Sequence, residues 1–316
     1  MAPTDSVRVT RSGGTGPSAI TEDARIHDII CDLLRNGSIE LSIADDGEIA
    51  AASPLMPRDR CVFVPSPPRR SLEANLEHVG ALRGAGFDPV PHLAARKLES
   101  RPQLEHFLGR AVREHAVHRA LLVGGDPPQP AGPYRNSAEV LQDGILADAG
   151  IREIVIAGYP EGHNRIPGPA LLADLDLKVE TALKQGMGVT IVTQFCFAPA
   201  RILEFCAFLA QRVPEVPVYV GVAGPTDARR LLGYARHCGV STSLLALGAM
   251  GVKAAGLMTH TDPLEQLITL ARFCASRADG NVVGAHLFSF GGFAATAGWM
   301  RDQCHGGRRA ASKTPA

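Results

Sequence analysis

Asp126 follows a glycine pair in Gly124-Gly125-Asp126-Pro127-Pro128, directly after the apolar run Leu121-Leu122-Val123. The glycines let the backbone approach a flat ligand closely, and the aspartate adds a carboxylate beside it. A plain turn is the competing reading, since Gly, Asp and Pro are common turn formers. Ala157-Gly158-Tyr159-Pro160-Glu161-Gly162-His163 closes a second apolar run. There Tyr159 can stack on an aromatic ligand and His163 can donate to a phosphate or ribose, or the tyrosine simply anchors a loop. Pro91-His92-Leu93 sets a histidine inside an apolar run, where a satisfied core residue is the commoner outcome. Thr193-Gln194-Phe195-Cys196-Phe197 puts an amide at a strand end. Its hydrogen-bonding sites are hard to satisfy in an apolar setting, and a ligand with an amide-like edge, such as a pterin, would satisfy them. The 11 histidines include no H-E-x-x-H pair and no carboxylate run has calcium-loop spacing, so no metal site is expected.

These groups share one placement: each ends a short, apolar, β-branched run. Such runs recur at Ser38–Ile43, Cys61–Ser66, Pro89–Ala95, Ala120–Asp126, Glu153–Pro160, Val189–Cys196, Val218–Gly224 and Val282–Phe290. Most are followed by stretches with helical apolar spacing: Leu72–Leu82, Gln103–His115, Ala138–Ala149, Ala170–Gln185, Ala200–Arg212, Asp227–His237 and Pro263–Ser276. Near-continuous apolar strands alternating with helices imply a parallel sheet buried on both faces. Repeated across the chain, the pattern predicts a single-domain α/β fold, a closed (β/α)8 TIM barrel over residues 21–304. An open doubly wound sheet is the alternative, and the Gly-rich fingerprint expected after its first strand is missing. The first unit is irregular, with Ala44–Arg60 forming a helical turn or two, and Ser241–Leu257 reads as an extra helical element. In a barrel, ligands meet the C-terminal ends of the strands, where the polar residues above lie. The closing run His286-Leu287-Phe288-Ser289-Phe290-Gly291-Gly292-Phe293 falls where barrels often hold phosphate, although core packing accounts for its aromatics.

Composition narrows the setting. Across 316 residues, 32 Lys and Arg balance 32 Asp and Glu, so no net field favours a polyanion such as nucleic acid. The basic stretch Arg110–Arg119 reads as a solvated helix face. The seven cysteines are scattered, odd in number and contain no C-x-x-C pair, which suits a reducing compartment. The stretch Met1–Thr21 lacks the apolar core of a signal peptide, and no apolar run reaches the ~20 residues of a membrane helix. A cytoplasmic protein is expected, with disordered tails at 1–20 and 305–316. Barrels of this kind commonly associate, so a homo-oligomer is expected, with no residue pattern marking the interface.

In this order and spacing the motifs resemble those of methylenetetrahydrofolate reductases. The matching pieces are Pro91-His92-Leu93, Gly125-Asp126-Pro127-Pro128, Ala157 to His163, Lys178-Val179-Glu180 and Thr193 to Phe197. His286-Leu287-Phe288-Ser289 is similar to the family's closing His-Phe-Tyr-Thr, and the likeness runs from about Ser38 to Trp299. The resemblance implies an FAD-dependent barrel that converts 5,10-methylenetetrahydrofolate to 5-methyltetrahydrofolate with NADH or NADPH, in a direction the sequence leaves open. It implies Asp126 near the flavin N1–C2 edge, where a carboxylate lowers the potential. It further implies that Ser66, His92, Gly125, Tyr159, His163, Asp174 and Lys178 line the flavin, with Lys178 and His163 nearer its phosphates. Gln194 is implied as the pterin contact, Tyr234 as an aromatic stacking on ligand, and Arg230, one helical turn earlier, stands where a glutamine is usual.

The family's general acid, a glutamate ending the first strand, protonates N10 and opens the methylene bridge. Ser38-Ile39-Glu40-Leu41-Ser42 resembles that strand and nominates Glu40, with Asp45 or Glu48 as substitutes and an ordinary strand-end carboxylate as the competing reading. The chemistry needs a carboxyl that keeps its proton near neutral pH, so a partly buried site is implied. The chain departs from the family pattern at Val64-Pro65-Ser66-Pro67-Pro68, at Gly124 in place of an arginine, and at Gly292 in place of another. Two further readings therefore stand beside the oxidoreductase. One is a non-catalytic folate- or flavin-binding barrel. The other is a flavin-free, pterin-dependent methyltransferase, against which the loops Gly124–Pro128 and Ala157–His163 argue.

Overall fold

The computed structural model describes residues 17–41, 46–67, 70–196, 198–227, 230–231, 233–234, 263–277 and 279–310. Its first helix, α1 (Pro17–Arg35), opens on a proline, whose missing N–H costs nothing at a helix start. Ile26, Ile30, Leu33 and Leu34 recur at helical spacing and are buried. Arg60, itself buried, donates through Nη1 to the carbonyls of Leu34, Arg35 and Gly37 at 2.9, 2.8 and 2.6 Å. A cation at the carbonyl end of a helix suits its dipole, and here it fixes where α1 hands the chain to the first strand.

The strands are β1 (Ser38–Glu40), β2 (Cys61–Val64), β3 (Asp88–Ala94), β4 (Arg119–Val123), β5 (Glu153–Gly158), β6 (Gly188–Thr193), β7 (Val218–Ala223) and β8 (Val282–Phe288). Each pairs in parallel with the next, and β1 pairs with β8 through Ser38↔His286, Ile39↔Leu287 and Glu40↔Phe288, closing an eight-stranded barrel. The connecting helices are α2 (Asp46–Ala52), α3 (Leu72–Gly84), α4 (Arg101–His115), α5 (Ser137–Gln142), α6 (Ile145–Ala149), α7 (Gly168–Lys184), α8 (Pro199–Arg212), α9 (Leu264–Ser276) and α10 (Phe293–Ala310). The expected single-domain (β/α)8 barrel is the observed fold. No described helix is long and apolar enough to cross a membrane.

Strand residues alternate in the surroundings they meet, as the period of a pleated strand requires. Val62, Leu122, Ile154 and Ile191 join the large apolar cluster between barrel and helices. Phe63, Val90, Leu121, Val155 and Val192 form a separate cluster inside the barrel. At the N-terminal ends of the strands, Asp88 pairs with Arg83 at 2.8 Å and with Arg119 and His118 at 3.6 Å. Arg119 reaches Glu153 at 3.6 Å, and the Thr190 hydroxyl donates to Glu153 at 2.6 Å. This charged layer lies under the apolar waist, at the opposite end of the barrel from the strand-end motifs.

Several element boundaries differ from the sequence reading. Helix α1 starts inside the stretch expected as an N-terminal tail, and α10 extends past residue 304. The single helix expected over Ala138–Ala149 is split by Gly144, at φ 81°, into α5 and α6. Strands end earlier than expected because Ser66, Asp126, Tyr159 and Gln194 leave the ladder as loop residues. The short helix α2 and the 3-10 turn Ser53–Leu55 fit the irregular first unit. Arg110 bonds Glu73 and Glu114 on the surface, as expected of a solvated helix face, whereas His118 and Arg119 of the same stretch lie beyond α4 and join the charged layer. Ser241–Leu257 and the end of Asp227–His237 lie outside the described residues.

Candidate functional site

Glu40 ends β1 with its side chain 20% exposed, over the waist of the barrel. Its Oε2 lies 3.6 Å from His92 Nε2 and 3.9 Å from His286 Nε2. His286 is buried, and its Nδ1 shares a 2.8 Å hydrogen bond with the Ser38 hydroxyl, which fixes the ring's orientation. The Phe63 ring meets both imidazoles edge-on, at centroid distances of 6.0 Å to His92 and 4.7 Å to His286. Burial pushes the His92 imidazole down to about 4, against the opposing pull of Glu40 and with a smaller push from His286. His92 Nε2 has no hydrogen-bond partner within the protein, so its nearest polar neighbour is the Glu40 carboxylate. The Ser289 hydroxyl donates to the Glu40 backbone carbonyl and ties β1 to the end of β8.

Above this floor opens a cavity of about 630 Å³ at the C-terminal ends of the strands. One wall is aromatic. Tyr234 stacks on Phe290 at 4.2 Å and 18°, Phe290 stacks on Phe288 at 5.5 Å, and Phe195 packs edge-on against both phenylalanines. The wall across the barrel is polar, formed by the loops after β3, β4 and β5. Gly124, Gly125 and Asp126 line it. Gly125 has φ +88°, and a Cβ there would stand 3.3 Å from the Ala94 Cβ, whereas a Cβ on Gly124 would meet nothing within 4 Å. Gly124 thus leaves open space beside the Asp126 turn, while Gly125 packs against Ala94. Tyr159 and His163 contact each other edge-on at 5.5 Å beside it. Burial pushes the Tyr159 hydroxyl up to about 12, helped by Asp174, so it stays a donor. His163 is held below its usual range by burial, then by Arg165 and Arg96.

The cavity brings together most of the residues nominated from the sequence: Glu40, Ser66, His92, Gly125, Asp126, Tyr159, His163, Gln194 and Tyr234 all line it. Three do not. Lys178 is buried on α7 and closes at 2.5 Å onto Asp174, its neighbour one helical turn away, so the expected phosphate contact is instead an intrahelical ion pair. Asp174, outside the lining, acts on the site through its field at Tyr159. Arg230 is exposed and pairs with Asp227 at 3.4 Å, so it and Tyr234 serve different surroundings despite their helical spacing. Of the substitutes for Glu40, Glu48 accepts from the backbone N–H groups of Phe293 and Ala294 at 2.7 and 3.0 Å, capping α10. Asp45 lies outside the described residues.

The sequence reading passed over Arg96, Lys97 and Arg165, which also line the cavity. Lys97 donates to the Ser66 hydroxyl at 2.9 Å and to the carbonyls of Ser66, Pro67 and Arg70 at 3.3, 2.6 and 2.9 Å. It is the clasp that holds the loop after β2 against the site. The only sequence signal for Arg96 and Lys97 was a charged pair directly after the strand carrying His92. Among the described residues, no group of three His, Cys, Asp or Glu side chains is spaced to hold a metal ion.

No family model matches the sequence. Solved structures share the fold. An uncharacterized protein from Clostridium thermocellum that binds two copies of 5-methyl-5,6,7,8-tetrahydrofolic acid superposes with a TM-score of 0.56 at 12% identity, over 85% of this chain and 96% of its own. Dihydropteroate synthase from Thermus thermophilus gives a TM-score of 0.44 at 15% identity, over 86% of this chain and 92% of its own. At 12% identity the likeness to the C. thermocellum protein is one of architecture alone.

Proposed function

We propose that the chain is a folate-binding oxidoreductase that interconverts 5,10-methylenetetrahydrofolate and 5-methyltetrahydrofolate, with FAD as hydride carrier and NADH or NADPH at the other end of the exchange. The observation that carries this reading is the placement of Glu40: a half-buried carboxyl on the floor of a cavity that also presents Asp126, Gln194 and an aromatic wall. The C. thermocellum barrel, whose ligand is a methylated tetrahydrofolate, adds a precedent for that ligand class on this fold.

The residues present fit a flavin. The open space at Gly124 would take the isoalloxazine ring, with Asp126 at its polar edge and Tyr159 and His163 alongside. When bound, the flavin supplies a two-electron carrier that accepts and returns hydride. The protein's own part in methylene reduction is proton chemistry. Glu40 delivers a proton to N10, the N10–CH2 bond breaks with its electron pair going to N10, and the N5 lone pair conjugates with the carbon as an iminium that hydride converts to methyl. His92 and His286 flank the Glu40 oxygen and keep solvent from its inner side, and Ser38 holds His286 in place. Gln194 fixes the pterin edge and Tyr234 with Phe290 covers the ring system. In the opposite direction Glu40 receives the N10 proton.

The test is the visible spectrum of the purified protein, as isolated and after FAD addition and desalting. A retained flavin spectrum that bleaches anaerobically with 5-methyltetrahydrofolate supports the reading; a flavin that stays oxidised with that folate bound sinks it. A flavin-free folate-binding or methyl-transferring barrel is the second reading. It is favoured by Lys178 and Asp174, two residues implied as flavin contacts that close on each other instead. Intact folate binding with no retained flavin is its signature.

A further inference from the structure

We propose that Arg96 and Arg165 form an anion-binding subsite at the cavity mouth for the carboxylate or phosphate end of the ligand, resting on the folate–flavin reading for the rest of that ligand. Both guanidinium groups line the cavity, and among the described residues neither makes an ion pair with a carboxylate. Arg96 is held by neutral acceptors: Nε donates to the Arg135 carbonyl at 2.8 Å and Nη1 to the Pro127 carbonyl at 3.4 Å. Arg165 Nη1 lies 3.5 Å from the Asp126 carbonyl, and its backbone N–H donates to His163 Nδ1 at 3.1 Å. The Asp126 carboxylate stands among these cations yet closes onto none of them.

That arrangement sets two cations on one wall with backbone carbonyls as their acceptors. Two like charges that share one cavity wall repel, and after burial, the largest cause, they are the next to lower the neighbouring His163 imidazole. Natural folds usually relieve such charges with a nearby Asp or Glu, and on this wall Asp126 is left free for a hydrogen-bonding partner instead. A guanidinium fork braced by backbone carbonyls is shaped for a two- or three-oxygen anion. Lys97 does not belong to the subsite, because the loop after β2 already occupies its ammonium. The subsite replaces the phosphate contact expected of Lys178, which the ion pair with Asp174 removes from the cavity.

The source of the anion is either the glutamate tail of the folate or the diphosphate of the flavin, and matched ligand pairs separate them. Dissociation constants would be measured for 5-methyltetrahydrofolate against 6-methyltetrahydropterin, and for FAD against riboflavin, with the wild-type chain, Arg165→Met and the Arg96→Met, Arg165→Met double variant. The expected result is that the anionic member of one pair weakens about tenfold per arginine while its neutral partner is unchanged. The affected pair names the source. Arg165→Met is the safer variant, since its side chain is exposed on a loop. Equal weakening within both pairs, or no change in either, overturns the subsite. If neither folate nor flavin binds the wild-type chain, the proposed function fails, and the subsite is then decided by inorganic pyrophosphate. Its protection of Arg96 and Arg165 from phenylglyoxal, read by peptide mass mapping, upholds the subsite, and unprotected modification rejects it.

Discussion

Glu40 Oε2 and His92 Nε2 stand 3.6 Å apart across the barrel interior, brought together from β1 and β3 with β2 between them. The distance is too long for a hydrogen bond, so the imidazole faces a carboxylate without being satisfied by it. This relationship makes the floor of the cavity one packed unit, with His286 as its third side chain.

Acid stability should report on that unit. The folded His92 titrates near 4, below its ordinary value of 6.5, so the unfolded chain binds an extra proton between those limits. Its contribution is fully present above pH 6.5 and is lost as pH falls toward 4, at up to about 1.4 kcal/mol per pH unit. Denaturant unfolding of wild type and His92→Phe at several pH values is the measurement. A wild-type slope no steeper than that of the variant would remove His92 from the acid response.

Glu40→Gln should slow the folate half-reaction by about 10²–10⁴-fold while leaving flavin reduction by NADH or NADPH near wild type. Stopped-flow measurement of the two half-reactions separates these effects. Equal loss in both would assign Glu40 a structural role.

Asp126→Asn should keep the fold, slow folate reduction and raise the flavin midpoint potential by on the order of 30 mV, the two-electron equivalent of about 1.4 kcal/mol. Spectroelectrochemistry gives the potential. An unchanged folate half-reaction removes Asp126 from the mechanism.

The glycine pair gives a contrast between neighbours. Gly125→Ala forces an alanine to φ +88° with its Cβ 3.3 Å from Ala94, and should cost about 1–2 kcal/mol of stability. Gly124→Ala meets no atom within 4 Å, so its melting temperature should match wild type while its added methyl weakens flavin binding. Thermal melts paired with flavin titrations check both, and equal ligand affinity for Gly124→Ala would mean nothing flat lies there.

Lys97→Met should leave the loop after β2 without its clasp and destabilise the protein by about 1–3 kcal/mol. Faster proteolytic cleavage between Ser66 and Arg70 is the local readout, and an unchanged cleavage rate would show that the loop holds without the lysine.

The barrel was legible because its signal is repetitive: β-branched runs such as Cys61–Val64 and Glu153–Gly158 alternate with helices such as α4 and α8. Helix α1 was missed because polar and small residues lead into it, and its amphipathic face begins only at Ile26. Most candidate site residues were legible for a related reason, since a polar residue ending an apolar strand must face the barrel mouth. Lys178 and Arg230 stand outside the cavity lining, and a lone cation on a helix carries no mark of the carboxylate it will choose. Asp174 lay one helical turn from Lys178 in plain sight, and ion pairing between them was the simpler outcome. The structural importance of Ser38 and His286 was not legible locally, because they meet only when β1 and β8 close the barrel.

That closure has a consequence for how the molecule is made. Glu40 leaves the ribosome well before His286, Ser289 and the β8 edge against which β1 zips. Until then β1 has only β2 beside it, and the floor of the cavity has no second histidine. Contacts between segments so distant along the chain are entropically expensive and slow to form. The Glu40 carboxyl is therefore synthesised before the strand that completes its surroundings, and it is housed only when β8 closes the ring.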